Sequence, residues 1–275
     1  MVDRSFRLGD HGRYPALHKM RFGLKTFLIL LGLIGLALGL LGSAVSHVRS
    51  ASARIASEQH ARFIAMEIRN HAQSHNGVLP SAIEYDSETG KPMQSWRLVT
   101  CRFLFGDMVQ AGFYGQGPDS LYSFPWDHPS NAVYRNGPHR DYAGGPWSFT
   151  DQTIGDQTTR YVAIVGDDTA FDPSADIQLS DLDDDTILFV EVRKSNHHWM
   201  EPGGDLKLSD MPAKIDVENG SGISGRHPDG FIVVFADTEA WTLSNDTPFE
   251  ILEKFFTITS SKLVDKTELL SEFRR

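Results

Sequence analysis

Two histidine-bearing stretches and a run of aspartates carry the side chains best suited to chemistry in this chain of 275 residues. His197-His198-Trp199-Met200-Glu201-Pro202 combines imidazoles with a carboxylate, donor types that suit zinc, which needs three or four converging ligands. Adjacent His197 and His198 point to opposite sides of an extended backbone, so at most one of them joins Glu201, and a third ligand such as His227 must come from elsewhere. Asp181, Asp183 and Asp185 alternate along the chain beside Asp184, with Asp167 and Asp168 upstream. That is a loose version of the spacing from which calcium draws oxygens, but the full loop with its central Gly and terminal Glu is missing. A solvated acidic turn is the plainer reading of that cluster, and a turn-capping role is the plainer reading of His227 and Asp237. Those two residues flank an apolar run, 230–236. At ~3.3 Å per residue this strand would hold them roughly 20–25 Å apart, too far for an acid–base dyad.

The remaining chemical inventory is thin. There is no G-x-S-x-G elbow, no phosphate-binding G-x-x-x-x-G-K-[ST] and no H-E-x-x-H, so no enzyme and no cofactor is expected. Cys101 sits in an apolar run beside Arg102 and reads as a core thiol. As the chain's single cysteine it allows no internal disulfide. Asn219-Gly220-Ser221 and Asn245-Asp246-Thr247 match glycosylation sequons, patterns short enough to recur by chance. Nearly all the acidic residues lie beyond position 50 and make that part strongly negative, which argues against a surface for nucleic acid, since that needs clustered Lys and Arg.

The elements that must position these residues follow from pattern. Residues 160–166 (RYVAIVG), 186–193 (TILFVEVR) and 230–236 (GFIVVFA) are β-branched or aromatic runs bounded by Asp, Gly and Pro, and predict central strands covered on both faces. Residues 238–243 alternate and predict a hairpin with the preceding strand around Ala236-Asp237. Residues 50–75 lack Pro and Gly and predict a helix with Ile55, Gln59, Phe63, Met66 and Asn70 on its inner face, ended by Asn76-Gly77 and Pro80. Residues 95–115 read equally as helix or strand pair, and 116–154 as Gly-, Pro- and aromatic-rich loops. Thr247-Pro248 opens a short helix through about Phe256, and 260–275 reads as a tail or short helix.

Residues 26–48, TFLILLGLIGLALGLLGSAVSHV, contain no Lys, Arg, Asp or Glu and predict a membrane-spanning helix. Arg4, Arg7, Arg13, Lys19, Arg21 and Lys25 precede it, so the N-terminus is expected inside and the domain outside. A cleaved signal peptide is the alternative, with Ser43-Ala44-Val45 or Ala51-Ser52-Ala53 as the cleavage site. Gly35 and Gly39 stand in G-x-x-x-G relation and offer a face for helix association. The expected organisation is a basic tail over 1–25, the span over 26–48 and a helical spine over 49–76. An extracytoplasmic domain over 77–259 and a tail over 260–275 complete it.

Several ordered blocks resemble a pseudopilin-like bacterial family, seen mainly in planctomycetes, that carries the domain of unknown function 1559. Gly225-Arg226-His227-Pro228-Asp229-Gly230, followed by FIVVFAD, is similar to the family's H-x9-D-G signature, with Asp237 at its Asp and Thr238 where the family has Gly. Ser95-Trp96-Arg97 resembles its S-W-R block, and residues 161–171 its Y-x-A-V-x-G-x-x-T-A-F block. Residues 186–191 with Trp199, Glu201, Pro202, Asp205 and Leu206 resemble its T-I-L-x-V-E … W-x-x-P-x-D-L block. The family's N-terminal leader has a Glu where this chain has Leu28. The resemblance implies an α+β, pilin-like fold, a transmembrane helix continuing as a spine packed on an antiparallel sheet. It implies no established activity. The expected role is a non-catalytic interaction or envelope-structural module in the bacterial cytoplasmic membrane, with the membrane, other envelope proteins or its own copies as partners. The alternative is a membrane-tethered metal- or ligand-binding domain.

Overall fold

The computed structural model describes residues 23–100, 124–132, 135, 158–215, 222–228 and 230–275. The expectations for the basic tail before Gly23, for Cys101, for most of 95–154 and for the sequon at Asn219 lie outside these residues. The helix α1 runs Leu24–Ser74 and ends at Asn76 and Gly77, whose φ values of 55° and 91° are the left-handed stop expected there. Compactness divides the chain into Met1–Arg49 and Ser50–Arg275.

In the first unit the described part of α1 exposes apolar side chains throughout, among them Leu24, Phe27, Leu31, Ile34, Leu38 and Leu41. The expected membrane span over 26–48 is nevertheless corrected, and with it the single-pass, N-inside placement in a bacterial cytoplasmic membrane. Among the described residues no helix is long and apolar enough to cross a membrane.

The second unit is α+β. Its main sheet has five strands in the order β5-β3-β4-β6-β7: β3 is Tyr161–Val165, β4 Ile187–Glu191, β5 Leu206–Lys207, β6 Gly230–Phe235 and β7 Ala240–Ser244. The pairs β3–β4, β4–β6 and β6–β7 are antiparallel, but β5 adds parallel to β3, so the sheet is mixed and not purely antiparallel. A smaller antiparallel pair joins β1, Ile83–Tyr85, to β2, Pro92–Ser95, which runs straight into the short helix α2, Trp96–Thr100.

Both faces of the main sheet are covered, as the near-continuous apolar strands require. One face packs against α1 through Ala61, Ile64, Ala65, Ile68 and Ala72, together with Trp96, Phe171, Phe189 and Trp199. The other face is closed by the C-terminal helices α3 (Phe249–Leu252), α4 (Ile258–Ser261) and α5 (Lys266–Leu270), whose Leu252, Ile258 and Leu270 are buried with Phe255 and Phe256. A register shift between Ile187 and Phe189 turns Leu188 and Phe189 to the same face, where both join the α1 layer. The inner stripe of α1 differs from the predicted one: Ile55 and Met66 are more than half exposed, while Ser57, Ala61, Ala65 and Ala72 are buried. Small residues let the helix lie close to the sheet, a reason invisible to a count of bulky side chains.

Candidate functional site

The polar side chains of the ordered blocks gather at three buried places around the main sheet. The first ties α2 to the approach of β5. Arg97 is wholly buried, and its Nη1 lies 2.7 Å from Asp205 Oδ1. Its Nε donates to Trp199 O at 3.1 Å and its Nη2 to Gly203 O at 2.7 Å and Glu201 O at 3.2 Å. Asp205 Oδ1 also accepts from Trp96 Nε1 at 3.0 Å and from the Ala163 amide at 2.9 Å, while Oδ2 is buried without a partner. The loop supplying these carbonyls turns through Gly203 and Gly204 at φ 86° and 73°. A Cβ at Gly204 would stand 2.5 Å from the His197 ring. A cavity of about 310 Å³ adjoins this site, lined by Asp205, Gly204, His197, Asn196 and Lys194.

The second place joins β3, β4 and the turn before β6. Glu191, fully buried at the end of an apolar strand, accepts from Arg160 Nη2 at 2.8 Å and from the Ile232 amide at 3.2 Å. His227 Nε2 lies 3.3 Å from Ser57 Oγ on α1, and the Tyr161 hydroxyl donates to Ser57 O at 3.2 Å. Burial pushes the His227 imidazole below its ordinary value against the opposing charge of Glu191, and burial with the nearby Arg160 does the same to His60.

The third place closes the β6–β7 turn. Lys266, the first residue of α5, contacts Asp237 Oδ2 through its Nζ, with Asp185 Oδ1 at 3.2 Å and Glu239 Oε2 at 3.7 Å. The Nζ also stands 4.8 Å from the ring centre of Phe235 and 5.9 Å from that of Trp241. Burial alone would lower the lysine pKa, but hydrogen bonds and charge from Asp237 and Asp185 more than offset it, and the group titrates above its ordinary value. The Trp241 indole N–H, donating at 2.9 Å, holds Glu239 below the usual carboxylate range.

The candidate metal ligands are therefore dispersed. His197 Nδ1 lies 3.5 Å from Glu201 Oε2, but that same oxygen accepts the His198 amide at 3.0 Å. His198 turns away to stack on Trp126, its Nδ1 accepting from the Met200 amide at 3.1 Å, and burial pulls it down to about 4. His227 belongs to the Ser57 contact. Asp181 caps the turn at Gln178, Asp183 Oδ1 accepts the Asp185 amide, and Asp185 is engaged by Lys266. Among the described residues no three His, Cys, Asp or Glu side chains converge as metal ligands. His227 and Asp237 sit before and after β6, at opposite ends of the strand as the spacing requires.

Of the family-like positions, Trp96 and Trp199 are fully buried, and Pro202 precedes the Gly203–Gly204 turn. The sequence marks Glu191 only as the last residue of a family-like block and does not mark Arg160 or Lys266 as site residues. Their signal was a charge abutting an apolar run (Glu191 after ILFV) or, for Lys266, no signal at all. A further concavity of about 640 Å³ at the C-terminal end of α1 is lined by His71, His75, Glu84, Tyr85 and Gln94. There the two imidazoles stack with centres 3.9 Å apart, and burial raises Glu84.

Chemically, each of the three buried places satisfies charge with charge and ties together segments distant in sequence. None pairs a nucleophile with a base beside open space. Comparison with family models, with curated proteins and with solved structures finds no match to this chain.

Proposed function

We propose that this chain is a non-catalytic, pseudopilin-like interaction module that works by associating with copies of itself through the apolar first part of α1. The observation that carries the reading is the unpartnered apolar surface of that segment. Leu24, Leu36, Leu38 and Leu40 are each more than 60% exposed, and Phe27, Leu31 and Leu41 more than half. Monomeric proteins seldom show a contiguous apolar patch beyond a few hundred Å² in water. A Cβ placed at Gly32, Gly35, Gly39 or Gly42 would meet nothing within 4 Å, so a second helix has room to approach along that line. The body supports the same reading, because its polar motif residues are spent on internal ties.

The test is the oligomeric state of the full chain by sedimentation and chemical cross-linking. A concentration-dependent oligomer is expected, weakened at least tenfold by Gly35→Ile with Gly39→Ile. A chain that stays monomeric across the concentration range would overturn the proposal.

A further inference from the structure

The Lys266 site has a composition that an ordinary ion pair does not need. The lysine is 6% exposed, its Nζ touches one carboxylate, a second lies at hydrogen-bonding distance, and two aromatic rings face it. The second carboxylate is held in place, since Asp185 Oδ2 accepts the Lys266 amide at 2.8 Å while Oδ1 faces Nζ. We infer that Lys266 and Asp237 are the partners of a self-catalysed amide cross-link, formed inside the folded chain with Asp185 as the proton carrier.

The step balances without a co-reactant. The resting pair is an ammonium and a carboxylate. One proton passes from Nζ to the Asp237 carboxylate across their contact, leaving a neutral amine and a neutral acid. The amine lone pair attacks Asp237 Cγ, the C–N bond forms and the carbonyl electron pair moves to oxygen. Asp185 then takes a second proton from the nitrogen and delivers it to the hydroxyl on Cγ. The C–O bond breaks, water leaves and the carbonyl re-forms. One N–H remains on the amide, nothing is oxidised or reduced, and ammonium plus carboxylate becomes amide plus water.

Three features favour condensation over a permanent ion pair. Holding the reacting groups in contact replaces a bimolecular encounter with an effective concentration far above any attainable in solution. The rings of Phe235 and Trp241 flank the nitrogen, and burial favours the neutral amine that the attack requires, while Asp237 and Asp185 hold the resting lysine in its charged form. The residues joined lie far apart in sequence, in the β6–β7 turn and the last helix. The bond would therefore close a long loop in a chain whose single cysteine permits no internal disulfide. Glu239 is the less suited carrier: it is more distant, half exposed and held by the Trp241 indole.

The test is mass spectrometry of the full chain, intact and after digestion. The expected result is a folded protein lighter by one water, with the peptides containing Asp237 and Lys266 recovered as one branched species. Lys266→Arg, which keeps the charge, should restore the full mass, and Asp185→Asn should slow the loss of water at least tenfold after refolding. Unlinked Asp237 and Lys266 peptides from the native wild-type chain after prolonged incubation would refute the cross-link. That outcome does not depend on whether any variant folds, nor on the self-association proposed above.

Discussion

Replacing Asp205 with Ala tests whether the buried Arg97 site holds the β5 edge of the sheet. Asp205 Oδ1 accepts from Trp96 Nε1, Arg97 Nη1 and the Ala163 amide. The substitution leaves a buried guanidinium without its counter-charge and two neutral donors without an acceptor. Removing one member of a buried pair typically costs ~3–5 kcal/mol, because the remaining charge stays desolvated. Two structural details set the figure within that range. Arg97 keeps its bonds to the carbonyls of Trp199, Glu201 and Gly203, and the adjoining cavity can admit water to the space the carboxylate vacates. Both soften the loss, and the expected cost is about 3 kcal/mol. At ~2–4 °C per kcal/mol for a domain of this size, that lowers the melting temperature by roughly 6–12 °C.

The assay is urea unfolding of the full chain, followed by tryptophan fluorescence, since Trp96 and Trp199 both report on the site. Asp205→Asn separates the contributions: its amide oxygen can still serve the three donors while the charge is gone, so about half the loss is expected. A cost below about 1 kcal/mol for Asp205→Ala, or equal costs for Ala and Asn, would refute the reasoning, because either result would mean that the carboxylate is not what holds the loop.

Two further outcomes follow from the backbone and from burial. Thr238 adopts φ 75° in the β6–β7 turn, a left-handed conformation that a β-branched residue takes only under strain. Thr238→Gly should therefore stabilise the chain by about 0.5–1 kcal/mol in urea after the added backbone entropy of glycine is counted, and a loss of stability would contradict the strain. His198 titrates near 4 in the fold against 6.5 when free. Its neutral form is favoured, so the stability it contributes is complete above pH 6.5 and is lost as pH falls from there to about 4. Discounted for partial exposure, the loss is on the order of 2 kcal/mol. His198→Phe keeps a ring against Trp126 and should flatten the fall in stability across that pH window relative to wild type. An unchanged slope would place the acid sensitivity elsewhere.

The strands were legible because each is a short apolar run closed by turn residues, and the edges of β3, β4 and β6 fall within a residue or two of the pattern. The hairpin around Asp237 is legible for the same reason, yet its left-handed residue is not: the resembled family has Gly at that place, but a threonine there argues against φ > 0, and Thr238 nevertheless adopts φ 75°. The C-terminal helix 249–256 appears as one turn of α-helix followed by a tighter turn through Phe255. The inner face of α1 was misassigned because alanines, not leucines, make its closest contacts. The spacing of His197, His198 and Glu201 offers one imidazole and one carboxylate as a partial donor set. What spacing cannot express is that Glu201 is claimed by a backbone amide and His198 by Trp126. Lys266 was invisible, since its partners Asp185 and Asp237 come from other turns and meet it only once both faces of the sheet are covered.

The positions of these buried charges argue for a body built to keep one shape. Arg97 secures the loop leading to the parallel edge strand, where β5 alone offers too few ladder bonds to hold itself. Glu191 stands at the end of β4, and its bond from the Ile232 amide occupies a donor where the β4–β6 ladder stops. Lys266 anchors the last helices over the opposite end of β6, beneath which Phe235 and Trp241 are packed edge to face. Charge pairs such as Arg97–Asp205 and Arg160–Glu191 add little to stability compared with apolar residues of the same volume, but they tolerate few alternative arrangements, since any shift strands a charge away from water. A binding protein that closes on a ligand needs at least one weak seam between its layers. In this body the polar seams are fixed at both ends of the central strands and at the parallel edge, while the unsatisfied surface lies in the apolar first part of α1. If the proposed self-association holds, substitutions at Gly35 and Gly39 should change assembly while leaving the urea midpoint of the body unaltered.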